Sequence, residues 1–176
     1  MHPRKQGLIL LSVGLVIISV AFGWRIYQRT TLSFKGDLPK YSEVKQGSPP
    51  KRLEVASIRV NLSVEPGSIT DGVWSVSEKG ATYLLGSGYP GEKENIVIYG
   101  HNKNSILGPI RWLNKGDEIK IQNEEGKYYI YKVEETKEVE ASDIKYVSPT
   151  GQEMLTIYTC TGFLDSKRFM VIAKPK

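Results

Sequence analysis

Met154-Leu155-Thr156-Ile157-Tyr158-Thr159-Cys160 is followed, after Thr161–Lys167, by Arg168-Phe169-Met170-Val171-Ile172-Ala173. The first run places Leu155, Ile157 and Thr159 on one side of a strand and Met154, Thr156 and Tyr158 on the other, with Cys160 continuing the second set. Gly162 and Asp165 mark a connection, and Arg168 opens a second strand-like run. Paired as an antiparallel hairpin, residues flanking the connection face one another at about 5 Å, which brings Cys160 and Arg168 to one spot. A third side chain arrives in the same way. Ile96-Val97-Ile98-Tyr99 is a continuous apolar run, as expected of a strand covered on both faces, and Gly100 lets the backbone turn so that His101 stands at its end.

Each of these residues has an ordinary explanation when taken singly. A lone cysteine behind apolar residues commonly packs as a small hydrophobe. Arg168 alone reads as an ion-paired strand residue, and His101 as a satisfied polar group. The chain has one cysteine and two histidines, and the other histidine, His2, sits beside the initiator. It is the possible convergence of thiol, imidazole and guanidinium that points to a thiol enzyme.

With these residues in place, the sequence resembles the sortases, bacterial cysteine transpeptidases built on an eight-stranded β-barrel. The family's nucleophile motif, Thr-Leu-x-Thr-Cys, is matched at 156–160 with Ile157 in place of Leu. Gly100-His101-Asn102 matches the context of the family histidine, and Arg168 matches the arginine on the following strand. Ile110-Arg111-Trp112-Leu113-Asn114-Lys115-Gly116-Asp117-Glu118-Ile119 looks like the family's short helix ending in Gly-Asp before a strand. The resemblance covers roughly residues 53 to 176. It implies an all-β barrel with one or two short helices, catalysis by Cys160, His101 and Arg168, and help at the substrate from the Thr159 hydroxyl or from nearby backbone N–H groups.

The implied mechanism is chemically coherent. A thiol of ordinary pKa about 8.5 is only a few per cent thiolate at neutral pH, so it needs a neighbouring cation or base. Cys160 would attack a carbonyl to form a thioacyl enzyme, and His101 would protonate the leaving amine and later deprotonate the incoming one. Arg168 would orient carbonyls and stabilise the oxyanion. The resemblance further implies a substrate with a Leu-Pro-x-Thr-Gly-like C-terminal sorting signal, and an acceptor amine from a cell-wall precursor or a pilin lysine. The short Cys160 to Arg168 interval is nearer the class D pattern.

The N-terminus sets an expected location. Gly7–Trp24 is an uncharged stretch of 18 residues preceded by Arg4 and Lys5, at the lower limit for a spanning helix. A membrane anchor over 1–27 is expected, with a cleaved signal peptide as the competing reading. Resemblance to the family places the following domain outside the cell, although Arg25, Arg29, Lys35 and Lys40 pull the other way.

Charge is unevenly divided. Residues 1–52 carry nine Lys/Arg against two Asp/Glu, a net +7, while 53–176 carry fifteen against seventeen, a net −2, which together give the chain's +5. The basic excess therefore lies outside the folded domain, and lipid or wall polymer accounts for it better than nucleic acid. Residues 28–52 read as a flexible basic linker broken by Gly36, Pro39, Gly47 and Ser48-Pro49-Pro50. A spacer is favoured over a covering role for Asp37-Leu38-Pro39.

The remainder reads as β structure. Ile58, Val60, Leu62 and Val64 alternate with polar residues, as do Ile119 and Ile121, and Asn123-Glu124-Glu125-Gly126 leads by a short turn into Lys127–Val133. Ile106, Ile110 and Leu113 fit one face of a short helix stopped by Gly116. No cofactor is expected. Some family members bind Ca²⁺ through loop carboxylates, but Glu92, Glu94, Glu138 and Glu140 show no recognisable loop pattern and read as solvated charge. One cysteine and one usable histidine argue against zinc. The competing class of function is a surface β-barrel that binds or scaffolds without catalysis.

Overall fold

The computed structural model describes residues 3–30, 32–36, 41 and 47–176. It opens with helix α1 (Pro3–Thr30), whose apolar side chains from Leu8 to Trp24 are exposed. The rest is β structure: β1 (Pro50–Val55), β2 (Val60–Gly67), the short β3 (Ile69–Thr70) and β4 (Val73–Trp74), β5 (Ala81–Leu84), β6 (Asn95–Tyr99), β7 (Glu118–Asn123), β8 (Tyr128–Glu140), β9 (Met154–Thr161) and β10 (Lys167–Pro175). Eight of these close into a barrel in the order β1-β2-β5-β6-β9-β10-β8-β7, and β3 pairs with β4 apart from it. Closure pairs each of these eight strands with two neighbours, so the barrel has no edge strand.

Alternation along each strand sorts side chains between two cores. Leu155 and Ile157 of β9 point into the barrel with Ile96 and Ile98 of β6 and Val171 and Ala173 of β10. Tyr158 and Cys160 of β9, Val97 and Tyr99 of β6 and Met170 of β10 belong to a second cluster on the outer face. Strands β6 and β9 are therefore buried on both sides, which explains the apolar run Ile96–Tyr99 of β6 and the unbroken burial of β9 from Leu155 to Cys160. The inner core is completed by Ile106, Ile110 and Leu113 around the turn at Gly108–Trp112, as their spacing suggests, but the turn is 3₁₀ rather than α-helical.

Several boundaries differ from the sequence reading. Arg59 is left-handed at φ 55°, so β2 begins at Val60 and not at Ile58. Strand β8 runs on past Val133 to Glu140, because β10 pairs with it as far as Lys167 opposite Glu140. The charged half of β8 shows no apolar run, since only its backbone and alternate faces are covered. The expected spacer also needs correction where it is described. Pro50, Lys51 and Arg52 belong to β1, and Leu32, Ser33 and Phe34 are buried against the outer face of the barrel. Asp37-Leu38-Pro39 and His2 lie outside the described residues.

Candidate active site

Adjacent strands bring three ends together. Cys160 of β9 and Arg168 of β10 are direct partners in the antiparallel register, a placement in which Cα atoms are ~5 Å apart. Strand β6 runs parallel to β9 with Tyr99 beside Tyr158. His101 thus follows Tyr99 by the same two residues that separate Cys160 from Tyr158. Two hydrogen bonds carry that register past the end of β6: the Gly100 N–H donates to the Tyr158 carbonyl (3.3 Å), and the Thr159 hydroxyl donates to the Gly100 carbonyl (2.8 Å). Thr159, expected as a donor to substrate, is fully buried with its hydroxyl engaged in holding the chain ahead of His101.

His101 is fixed from the other side as well. Its carbonyl accepts from the N–H groups of Lys103 (2.8 Å) and Leu107 (3.2 Å). A Cβ at Gly100 would meet Ile106 Cγ2 and Leu107 Cδ1 at 3.2 Å, so glycine lets this loop close tightly. The imidazole Nε2 lies 3.6 Å from Glu78 Oε1, and Glu78 Oε2 lies 3.3 Å from Lys103 Nζ. Burial pushes the His101 pKa below its ordinary value, Glu78 opposes that shift, and Lys103 reinforces it. The hydrogen bond from Lys103 keeps the Glu78 carboxyl below the usual range. The neutral imidazole is accordingly favoured at neutral pH. Nothing in the sequence singled out Glu78, which reaches the histidine from the segment between β4 and β5.

Arg168 is almost wholly buried, at 2% exposed. Its Nη1 donates to the carbonyls of Asp165 (3.0 Å) and Lys167 (2.9 Å), and its Nη2 to the carbonyl of Ser33 (2.7 Å). The connection it holds is conformationally demanding, with Gly162, Leu164 and Asp165 at φ 79°, 51° and 57°. Two non-glycine residues there cost roughly 1–2 kcal/mol each, and the guanidinium bond to the Asp165 carbonyl helps to offset that. Arg168 Nε is buried and, among the described residues, makes no hydrogen bond.

Beside the trio lies an aromatic floor. Tyr99 and Tyr158 stack at 5.3 Å between centroids, and Trp74 meets Tyr99 edge-on at 5.4 Å. Burial pushes the Tyr158 hydroxyl well up, so it remains a donor, to the Leu32 carbonyl at 3.1 Å. Cys160 itself is 3% exposed and packs in the same cluster as Leu32 and Phe34.

The four carboxylates considered for calcium are occupied separately. Glu92 accepts from the Gly47 and Tyr89 N–H groups and Glu94 from those of Asn95 and Thr150. Glu138 accepts from the Thr161 hydroxyl and Glu140 pairs with Lys167. Among the described residues no three His, Cys, Asp or Glu side chains converge as a metal donor set.

Comparison with known proteins matches the sequence and fold of the chain to one family. The family model of the sortase domain matches residues 53–176. Sortase A of Listeria monocytogenes is 29% identical over 126 residues, covering 69% of this chain and 54% of the relative. Sortase A of Bacillus anthracis is 30% identical over 150 residues, covering 78% of this chain and 67% of the relative. The chain thus spans about half the length of the Listeria protein and two thirds of the Bacillus one. Among solved structures, a Clostridium perfringens sortase D5 transpeptidase superposes with a TM-score of 0.63 at 28% identity, covering 76% of this chain and 82% of that one.

Proposed function

The chain belongs to the sortase family, and from that membership we propose that it is a membrane-anchored cysteine transpeptidase. Cys160 attacks the scissile carbonyl of a sorting signal, and the bond to the leaving amine breaks to give a thioacyl enzyme. An acceptor amine then attacks the thioester, an amide forms and the thiol is released. His101 is the proton carrier for both halves: its imidazole takes the Cys160 proton and gives it to the departing amine, then takes a proton from the arriving amine and returns it to the released sulfur. Arg168, opposite the sulfur, carries a permanent charge and a forked set of donors suited to the developing oxyanion. The observation that carries this reading is the pairing of Cys160 with Arg168, together with the β6–β9 register that leads the chain to His101 at the same level.

A Leu-Pro-x-Thr-Gly-like signal and an amine of the cell wall or a pilin are the partners that family membership suggests. The Cys160–Arg168 interval and the likeness to the Clostridium perfringens sortase D5 favour a class D-like assignment. Helix α1 supports anchoring: Gly7–Trp24 spans 18 residues, or about 27 Å, close to the thickness of a bilayer core. We place the barrel on the outer side of the membrane.

The test is to incubate the intact protein in detergent with a library of sorting-signal peptides and triglycine. Ligated products that disappear with Cys160→Ala support the reading. Complete inertness of the folded protein toward every peptide, with and without the amine, contradicts it and leaves the non-catalytic barrel.

A further inference from the structure

Phe163 and Leu164 form the tip of the connection between β9 and β10, at 85% and 57% exposed, and Phe163 is the most exposed large apolar side chain among the described residues. Their exposure is built into the connection. The Asp165 N–H donates to the Gly162 carbonyl (3.2 Å), the Ser166 N–H to the Phe163 carbonyl (3.2 Å), and Arg168 Nη1 to the Asp165 carbonyl (3.0 Å). Leu164 and Asp165 are left-handed, at φ 51° and 57°, so an unfavourable backbone is held in place to keep this shape. Single apolar residues are ordinary on a protein surface, but an adjacent Phe-Leu pair fixed outward at a fastened tip suits an apolar partner.

The tether of the barrel identifies that partner. The Ser33 carbonyl accepts from Arg168 Nη2 (2.7 Å), and Trp24, the last residue of the apolar span Gly7–Trp24, precedes Ser33 by nine residues. Helix α1 continues to Thr30, so those residues reach about 9 Å as helix and roughly 10 Å more as extended chain. Arg168 and the connection it holds therefore lie within roughly 20 Å of the end of the span, a distance that already includes the headgroup layer. Strand β8 shows which end of the barrel this is. Glu140 pairs with Lys167, next to Arg168, whereas Tyr128 begins the same strand twelve residues away, roughly 40 Å along it. The end that carries Cys160, Arg168 and the Phe163–Leu164 tip is the end near the bilayer. Between Cys160 and Arg168 the connection holds one acid, Asp165, and one base, Lys167, so removal of apolar surface from water drives the contact rather than attraction to anionic headgroups.

We infer that Phe163 and Leu164 enter the surface of the bilayer as a second membrane contact beside α1, which sets the strand ends bearing Cys160 and Arg168 at headgroup level. The inference rests on the reading of α1 as a membrane anchor, and on neither the chemistry nor the substrate of the site.

The test uses the intact protein in phosphatidylcholine nanodiscs whose lipids carry a doxyl quencher on the acyl chain. In a Cys160→Ala background a fluorophore is attached at Ser166→Cys, exposed beside the tip, or at Tyr128→Cys, exposed at the start of β8. Quenching should be about twofold or more stronger at position 166 than at 128, because an interfacial side chain sits about 5–10 Å into the headgroup boundary. High salt should leave it unchanged. Replacing the tip by Phe163→Ser and Leu164→Ser should bring the signal at 166 down to that at 128, with circular dichroism confirming a folded barrel; the comparison of 166 with 128 stands alone if the double variant does not fold. Equal quenching at the two positions, quenching at 166 that survives in the folded double variant, or quenching abolished by salt overturns the proposal. A chain that does not co-elute with the nanodiscs refutes the anchor reading and this inference with it, whereas co-elution without quenching at 166 overturns this inference and leaves the anchor.

Discussion

Arg168→Lys separates the geometry of the guanidinium from its charge. The native side chain makes three hydrogen bonds to main-chain carbonyls, at 3.0, 2.9 and 2.7 Å, from two different nitrogens. One ammonium nitrogen on a shorter stem cannot reach both the β9–β10 connection and Ser33. At roughly 1.5–3 kcal/mol for a hydrogen bond from a charged donor, losing even one leaves the variant about 2 kcal/mol less stable. For a domain of this size that lowers the melting temperature by roughly 5–10 °C. The effect on turnover should be larger than stability explains, because the variant remains folded at 25 °C. Removing a donor aimed at an oxyanion commonly costs about 10²–10³ in rate, and that is the loss expected in kcat/KM with a sorting-signal peptide. Circular dichroism supplies the folded fraction and single-turnover acylation supplies the rate. A folded lysine variant that acylates at near wild-type rate would refute the forked-donor role, since it keeps the charge and loses only the fork.

Other expectations follow from the same structure. Cys160→Ala should abolish peptide adducts, and His101→Ala should reduce acylation and deacylation together; a His101→Ala enzyme of undiminished turnover would remove the proton carrier from the mechanism. Because burial lowers the His101 pKa, its contribution to stability is complete above the unfolded value of about 6.5 and is lost as pH falls through the lower folded value. Glu78→Gln removes the carboxylate that opposes this shift and leaves Lys103 and Asp165 as the remaining charges acting on the ring. The ring titration, followed by NMR, should move further down and carry the acidic limb of kcat/KM with it; an upward move would contradict the assigned contact. Gly67→Ala places a Cβ 2.3 Å from Thr82 Cγ2 and 2.6 Å from the Tyr99 hydroxyl, an overpacking that costs about 1–3 kcal/mol. Chemical denaturation should show it, and an unchanged midpoint would mean that β2 and β5 yield more easily than their packing implies.

Strands that pack on both faces were the most legible part of the chain. The apolar run of β6, the two-sided pattern of β9 and the strand-like run from Arg168 to Ala173 announced three strands, and the hairpin reading brought Cys160 and Arg168 together. What stayed hidden depends on long-range contact. The second half of β8 is strand only because β10 lies beside it, and its Glu-Glu-Thr-Lys-Glu sequence carries no apolar period. Leu32 and Phe34 sit among glycine, proline and charge, with no periodicity to mark them as buried, so composition alone made them spacer. Glu78 comes within reach of His101 through the path between β4 and β5, which local sequence does not encode. The pairing of Arg168 with Cys160 was legible from the hairpin, yet the Arg168 bond to the Ser33 carbonyl spans 135 positions and could be seen only in the folded chain.

Intact-mass analysis of the protein stalled with a sorting-signal peptide, in the absence of acceptor, addresses the account most directly. A single acyl increment that maps to Cys160 and is discharged by added triglycine is the predicted result. An increment on any other residue, or peptide cleavage that persists in Cys160→Ala, would contradict it.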